Sequence, residues 1–179
     1  MELNGKRIAI LVDNLYQEME VWYPYYRFQE AGAQVVTVGA AAGVTYTSKF
    51  GYPIKSDKAY DQVRADEFAG VVCPGGYAPD HIRRHRAALD FVHQINAQGK
   101  LVAAICHGGW ILCSADVLRG RKATCFFAIK DDLVHAGATY LDAEVVVDDN
   151  LVTSRKPEDL PAFCAASIKV LTGVPALTK

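Results

Sequence analysis

Short, unbroken apolar runs recur through the first two-thirds of the chain, each ending at a polar or glycine-rich break. Residues 6–12 (KRIAILV) read as a buried parallel strand stopped by Asp13-Asn14, and residues 34–38 (QVVTV), 70–73 (GVVC) and 101–105 (LVAAI) repeat that form. Residues 17–31 predict a helix with an apolar stripe of Met19, Trp22, Tyr23 and Tyr26, a kink or division at Pro24 and a C-cap at Gly32. Residues 87–98 predict an amphipathic helix stopped by Gly99, and residues 43–53, rich in Thr, Tyr and Gly, a small hairpin. Beyond residue 106 the pattern gives a helix over 107–115, a strand over 122–125 and a short helix over 129–136. A hairpin of 144–147 and 151–153 then turns at Asp148-Asp149-Asn150, and a closing helix covers 157–171. This alternation predicts an α/β fold with a doubly wound parallel sheet sandwiched by helices, whose ligands sit outside the carboxyl ends of the strands. Three strand ends are unusual: Val12-Asp13, Cys73-Pro74-Gly75-Gly76 and Ile105-Cys106.

The 179 residues fit one domain over 1–179, with no repeat or linker, and a net charge of −1 gives no reason to expect nucleic acid or an anionic membrane as partner. The first residues carry no apolar core of signal-peptide length and no run is long enough to span a bilayer, so a cytoplasmic protein is expected. Five cysteines, an odd number without paired CxxC spacing, point to a reducing compartment and predict no disulfide framework and no metal site.

One cysteine stands apart. Cys106 follows a buried strand directly and precedes His107-Gly108-Gly109. A nucleophile at a strand tip needs an abrupt reversal into a helix, and such a turn leaves room only for small residues two positions either side. Ala104 and Gly108 meet that need. Unpaired amides at the helix start are expected to lower the Cys106 pKa. The alternative is a structural cysteine closing a core strand. His107 reads either as the base for Cys106 or as a solvent-facing helix residue. Gly75-Gly76 reads either as part of an oxyanion hole, completed by the His107 amide, or as an ordinary turn.

The segments Glu20 through Tyr23-Pro24, Pro74-Gly75-Gly76-Tyr77-Ala78-Pro79, Ala104-Ile105-Cys106-His107-Gly108, Leu118-Arg119-Gly120-Arg121-Lys122 and Ile129-Lys130-Asp131-Asp132 occur in this order. Val146-Val147-Asp148 and Ser154-Arg155 with Pro157 and Asp159-Leu160 follow them. In these segments the chain resembles the ThiJ/PfpI family of the class I glutamine amidotransferase-like superfamily, and is most similar to its PfpI intracellular protease branch. The resemblance implies a flavodoxin-like sandwich, Cys106 as nucleophile, His107 as its partner, and Glu20 close to the sulfur. A carboxylate beside a thiolate would raise both pKa values, so Glu20 is expected to be protonated and to donate to the sulfur; its other reading is a solvated acid at a helix start. The resemblance also implies a homo-oligomer, dimer or hexamer, in which an acidic residue after the Gly-Gly turn orients the histidine of a neighbouring subunit. That position holds Asp80, where the protease carries a longer glutamate. Phe126 replaces a tyrosine, and Gly109-Trp110 replaces a proline and a polar residue. The His-x-Glu pair of a glutamine amidotransferase triad is absent.

The implied function is a cysteine-dependent hydrolase acting on peptides or on small aldehydes such as methylglyoxal and their adducts, with a stress-protective role. No cofactor is implied. The competing expectation is a redox sensor or stress-protective protein that works through oxidation of Cys106, with Cys125 as candidate resolving thiol; Phe126, which can neither donate nor accept a proton, leans that way. His81 and His85 lie four residues apart in a basic run but lack a third ligand, and Arg119 to Lys122 read as a surface turn.

Overall fold

A computed structural model describes residues 1–173; residues 174–179, the end of the expected single domain, lie outside the described residues. The strands are β1 (Arg7–Leu11), β2 (Gln34–Gly39), β3 (Thr45–Thr47), β4 (Pro53–Lys55), β5 (Lys58–Ala59), β6 (Gly70–Cys73), β7 (Leu101–Ile105), β8 (Lys122–Ala123), β9 (Thr139–Tyr140), β10 (Val145–Asp148) and β11 (Leu151–Ser154). The helices are α1 (Glu18–Glu30), α2 (Ala78–Ile82), α3 (Arg86–Ala97), α4 (Gly109–Ser114), α5 (Lys130–His135) and α6 (Leu160–Thr172).

The main sheet runs β10-β11-β7-β6-β1-β2-β5, parallel throughout except for β10 against β11. Its central strands are buried along nearly their whole length, which explains their unbroken apolar runs. From β1 the chain winds outward to β2 and β5, then returns to add β6, β7 and β11 on the other side. α1, which links β1 to β2, packs with the terminal helix α6 on one face of the sheet, and α3, which links β6 to β7, lies with α4 on the other. The switch point therefore lies between β1 and β6, whose carboxyl ends carry Asp13 and Pro74-Gly75-Gly76.

The amphipathic α3 buries Ala88, Phe91, Val92 and Ile95, the spacing of one helical face. The small hairpin forms as β3 against β4.

Three local expectations are corrected. Pro24 does not divide α1, which is continuous from Glu18 to Glu30; it forgoes only the bond its missing N–H would have made to the Glu20 carbonyl. The apolar stripe is not the buried face of the helix: Met19 and Tyr26 are exposed at 51% and 59%, Trp22 and Tyr23 are half-buried at the core's margin, and Glu20, Val21, Pro24 and Phe28 are buried. The strand expected over 122–125 shrinks to β8, which pairs with β9 outside the main sheet. Beyond it, the Thr124 N–H turns to the Thr153 hydroxyl and the Phe126 N–H to the Cys106 carbonyl.

Candidate active site

The carboxyl ends of β1, β6 and β7 build the site. β6 and β7 pair with Cys73 opposite Ala104, so the Pro74-Gly75-Gly76 turn lies beside the Cys106 turn. Cys106 has φ +59, an uncommon left-handed value for a residue with a side chain, and opens a tight 3-10 turn over Cys106–Gly108 before α4. The helix expected over 107–115 is thus split between this turn and α4. A Cβ on Gly108 would lie 2.1 Å from the Cys73 carbonyl oxygen, so only glycine lets the turn sit on the neighbouring strand.

The loop after β1 is stitched to the glycine turn. The Gln17 N–H donates to the Gly75 carbonyl at 3.2 Å and the Tyr77 N–H to the Leu15 carbonyl at 2.8 Å. Gly76 has φ +79, and a Cβ there would lie 2.4 Å from the Leu15 carbonyl oxygen. This stitching fixes the start of α1, where the Gln17 side chain caps the helix by accepting from the Glu20 N–H at 2.9 Å. Glu20 then points inward, fully buried, with Oε2 accepting from the Gly75 N–H at 2.7 Å. A Cβ on Gly75 would lie 2.6 Å from Glu20 Oε2, 2.8 Å from Cys106 Cβ and 3.0 Å from the His107 nitrogen, so the carboxyl, the thiol and an amide converge on the space glycine leaves.

The electrostatics follow from burial. It pushes the Glu20 carboxyl up to about 8, so Glu20 is protonated at neutral pH and is not the solvated acid of the alternative reading. With Oε2 accepting from Gly75, Oε1 has no partner elsewhere and its O–H is available to the adjacent sulfur. Burial, and then the charge of an ionised Glu20, push the Cys106 thiol up to about 12, against the pull of the His107 and Gly76 amides. The expected depression of the Cys106 pKa is thereby corrected: desolvation outweighs the amides. Protonation of Glu20 removes its charge from this balance and turns it into a donor. His107 Nδ1 lies 3.4 Å from the sulfur, and burial followed by Lys49 lowers the imidazole pKa, leaving it neutral and able to accept the thiol proton.

His107 is held between Phe126 and Trp110. Phe126 stacks on it at 5.2 Å, and the edge of Trp110 meets it at 5.0 Å. Trp110 Nε1 donates to Asp132 at 2.7 Å, which anchors that ring. The site opens into a cleft of about 850 Å³ lined by Gln17, Tyr77, Lys49 and Lys156 as well as by Glu20, Cys106 and His107.

The structure brings Cys106, His107, Glu20, Gly75 and Gly76 together. Gly75, expected in the oxyanion hole, has its amide engaged by Glu20, so Gly76 and His107 supply the amides at the sulfur. Asp80 is not brought to His107 within the chain: it sits on α2 paired with Arg84. His81 and His85 diverge, one 3.8 Å from Asp13 and the other against the Tyr60 ring. Among the described residues no three His, Cys, Asp or Glu are grouped to hold a metal ion, and no helix is long and apolar enough to cross a membrane. Sequence reasoning missed Lys49 and Lys156 and took Asp132 only as part of a shared segment; no spacing rule links these distant positions to the Cys106 turn.

The profile of the DJ-1/PfpI family matches residues 6–170. The chain belongs to this family. It is 43% identical to a protein named deglycase PfpI from Pyrococcus furiosus, over 92% of this chain and 99% of that one. It is 42% identical to protein/nucleic acid deglycase 2 of Escherichia coli, over 93% and 98%. Among solved structures it superposes with TM-score 0.92 and 41% identity on a two-domain protein of Anabaena variabilis that contains DJ-1/ThiJ/PfpI-like and ferritin-like domains. That match covers 98% of this chain and 50% of the other. The flavodoxin-like, mostly parallel sheet expected from the sequence is the fold of these relatives.

Proposed function

We propose that this chain, acting as one domain, is a cysteine-dependent hydrolase of the deglycase type, working on carbonyl adducts of small aldehydes or on peptides. The observation that supports it most is the convergence on Gly75 of a left-handed Cys106, a neutral Glu20 and the His107 amide. Relatives named deglycases at 42–43% identity over nearly their whole length support the same reading. Cys106 attacks the carbonyl carbon while its proton passes to His107 Nδ1. The oxyanion that forms is held by the amides of Gly76 and His107. On a peptide the protonated imidazole gives its proton to the leaving amine as a thioester forms on Cys106. The neutral imidazole then takes a proton from the water that hydrolyses this thioester and returns it to the departing sulfur. Glu20 stays protonated and donates to the sulfur whenever it carries charge. Asp80 completes the site from a neighbouring subunit of a homo-oligomer, dimer or hexamer, in a cytoplasmic, stress-protective setting.

The test is turnover of methylglyoxal, of methylglyoxal-treated N-acetylcysteine and of casein-type peptides by wild type and Cys106→Ser. Turnover of any of these that is lost in the variant supports the proposal; equal rates in the two proteins contradict it.

A second reading rests on the unpartnered Glu20 Oε1 and on Phe126, which places no hydroxyl beside His107. On that reading Cys106 is a redox sensor, oxidised by peroxide to a sulfinate held by Glu20 and the elbow amides. Intact mass after mild peroxide separates the outcomes: two added oxygens on Cys106 support it, and a Cys106–Cys125 disulfide makes it a reversible switch.

A further inference from the structure

The charges facing Cys106 do not balance. Four ionisable side chains with acidic or basic character at ordinary pH line its cleft: Glu20, His107, Lys49 and Lys156. Glu20 holds its proton and His107 lacks one at neutral pH, both because of burial. The remaining two are ammonium groups, and among the described residues neither forms an ion pair with a carboxylate. The nearby acids are otherwise arranged. Glu18, whose pKa the field of Lys49 helps to lower, accepts from Ser48 and Phe50 and lies outside the cleft. Asp159 is bound by Arg155, Asp132 accepts from Trp110, and Glu158 is exposed and does not line the cleft. Lys49 nevertheless acts at the reacting groups, since its field lowers the pKa of both Glu20 and His107.

Neither lysine is on a loose segment. Lys49 stands in the β3–β4 loop, where its N–H donates to the Tyr16 carbonyl at 3.0 Å. Glu18 ties down the residues on either side, accepting from the Ser48 hydroxyl and from the Phe50 N–H at 2.7 Å. Lys156 caps the 3-10 turn Pro157–Asp159, its carbonyl accepting from the Asp159 N–H at 3.0 Å. Two distant segments thus each hold a lysine at one cleft. Both side chains are exposed, the Lys49 ammonium lying 5.6 Å from the centre of the Phe50 ring, and an anionic group gains from the pair through an attraction that draws it toward the sulfur.

We propose that Lys49 and Lys156 form an anion-recognition subsite, so that the preferred substrates carry a carboxylate or phosphate on the same molecule as the reacting carbonyl. This deepens the function proposed above and rests on it for the word substrate; the electrostatic claim itself concerns only what reaches Cys106. Two alkylating agents of nearly the same shape test that claim without any turnover, because iodoacetate is anionic and iodoacetamide neutral. The quantity read is the ratio of their Cys106 alkylation rates by peptide mass spectrometry, relative to the same ratio for N-acetylcysteine.

In wild type the ratio should favour iodoacetate by roughly tenfold over the small thiol, and about 0.5 M salt should erase most of that preference. Lys49→Met with Lys156→Met should bring the ratio to that of the small thiol, and Lys→Arg at both positions should restore it. A wild-type ratio equal to that of N-acetylcysteine, or one that the double Met variant leaves unchanged, overturns the subsite even if the enzyme turns over aldehydes. Conversely, the alkylation ratio decides the subsite even if no carbonyl compound is turned over and the hydrolase reading falls. With an active enzyme, glyoxylate, glyceraldehyde 3-phosphate and methylglyoxal compared by kcat/KM separate the sources of charge. Preference for the first assigns a carboxylate and preference for the second a phosphate, while equal use of all three overturns the proposal.

Discussion

Cys73 and Cys106 end neighbouring parallel strands and are both buried, Cys73 fully and Cys106 with an edge open to the cleft, yet only one is equipped as a nucleophile. Burial pushes both thiols up to about 12. For Cys73 nothing acts besides burial: it closes β6, fully enclosed. Cys106 lies one residue past β7 with φ +59, facing two amides, a protonated carboxyl and an imidazole nitrogen at 3.4 Å. The difference shows that position at a strand end does not by itself make the nucleophile. Directed donors and a proton acceptor do, and the left-handed turn aims the sulfur at them. The two cysteines are also mechanically joined, because the Cys106 turn rests on the Cys73 carbonyl through Gly108.

The largest expected effect breaks one half of this pair. Cys106→Ser should lower kcat/KM by about a thousandfold or more, since a hydroxyl in the same place is a far weaker nucleophile at neutral pH. Cys73→Ala should leave kcat/KM within a few-fold and cost about 1–2 kcal/mol in urea unfolding, as the loss of a small buried side chain. Comparable losses of activity in the two variants would erase the distinction.

Next comes the joint between them. Gly108→Ala forces a methyl to within 2.1 Å of the Cys73 carbonyl, which backbone on both sides must move to relieve. A loss of about 3 kcal/mol or more in stability is expected, with activity falling in parallel. Gly99→Ala, where a Cβ meets open space but φ is +66, should cost only about 1 kcal/mol and serves as the control for strain alone.

A smaller effect is tied to pH. The Glu20 carboxyl titrates near 8 in the folded chain, well above its ordinary value of 4.5. Between those values the native state keeps a proton that the unfolded chain has released, so stability falls as pH rises, by at most about 1.4 kcal/mol per pH unit from this group. Glu20→Gln has no such proton. Its stability relative to wild type should therefore rise from pH 5 to pH 8 and level off above that, as read by urea unfolding at several pH values. A difference independent of pH would mean that Glu20 is ionised in the native state.

Much of this architecture is legible in the sequence, because parallel strands buried on both faces must be written as unbroken apolar runs. The Cys106 turn is legible for a related reason: its close approach to β6 admits only small residues, and Gly108 records that contact. The orientation of α1 is not legible. Met19, Trp22, Tyr23 and Tyr26 form a convincing apolar stripe, but the sheet takes the adjacent face with Glu20 on it, since the stitched loop between β1 and the glycine turn sets the rotation of the helix. A buried acid reads from its own segment as a surface residue; the family resemblance puts Glu20 near the sulfur, and the Gly75 amide is the tertiary partner that holds it there. The cleft lysines leave no local trace because two remote loops place them there.

The central claim is that directed donors, not burial, single out Cys106 among the five thiols. The most direct test is the alkylation rate of each cysteine by iodoacetamide at neutral pH, resolved by peptide mass spectrometry in wild type and Glu20→Asp. Cys106 should react fastest, with Cys73, Cys125 and Cys164 essentially unlabelled on its timescale and half-buried Cys113 far behind. Pulling the donor back by one methylene in Glu20→Asp should slow Cys106 several-fold and leave the others unchanged. Labelling of Cys73 or Cys113 as fast as Cys106, or a Cys106 rate indifferent to Glu20→Asp, would contradict the account.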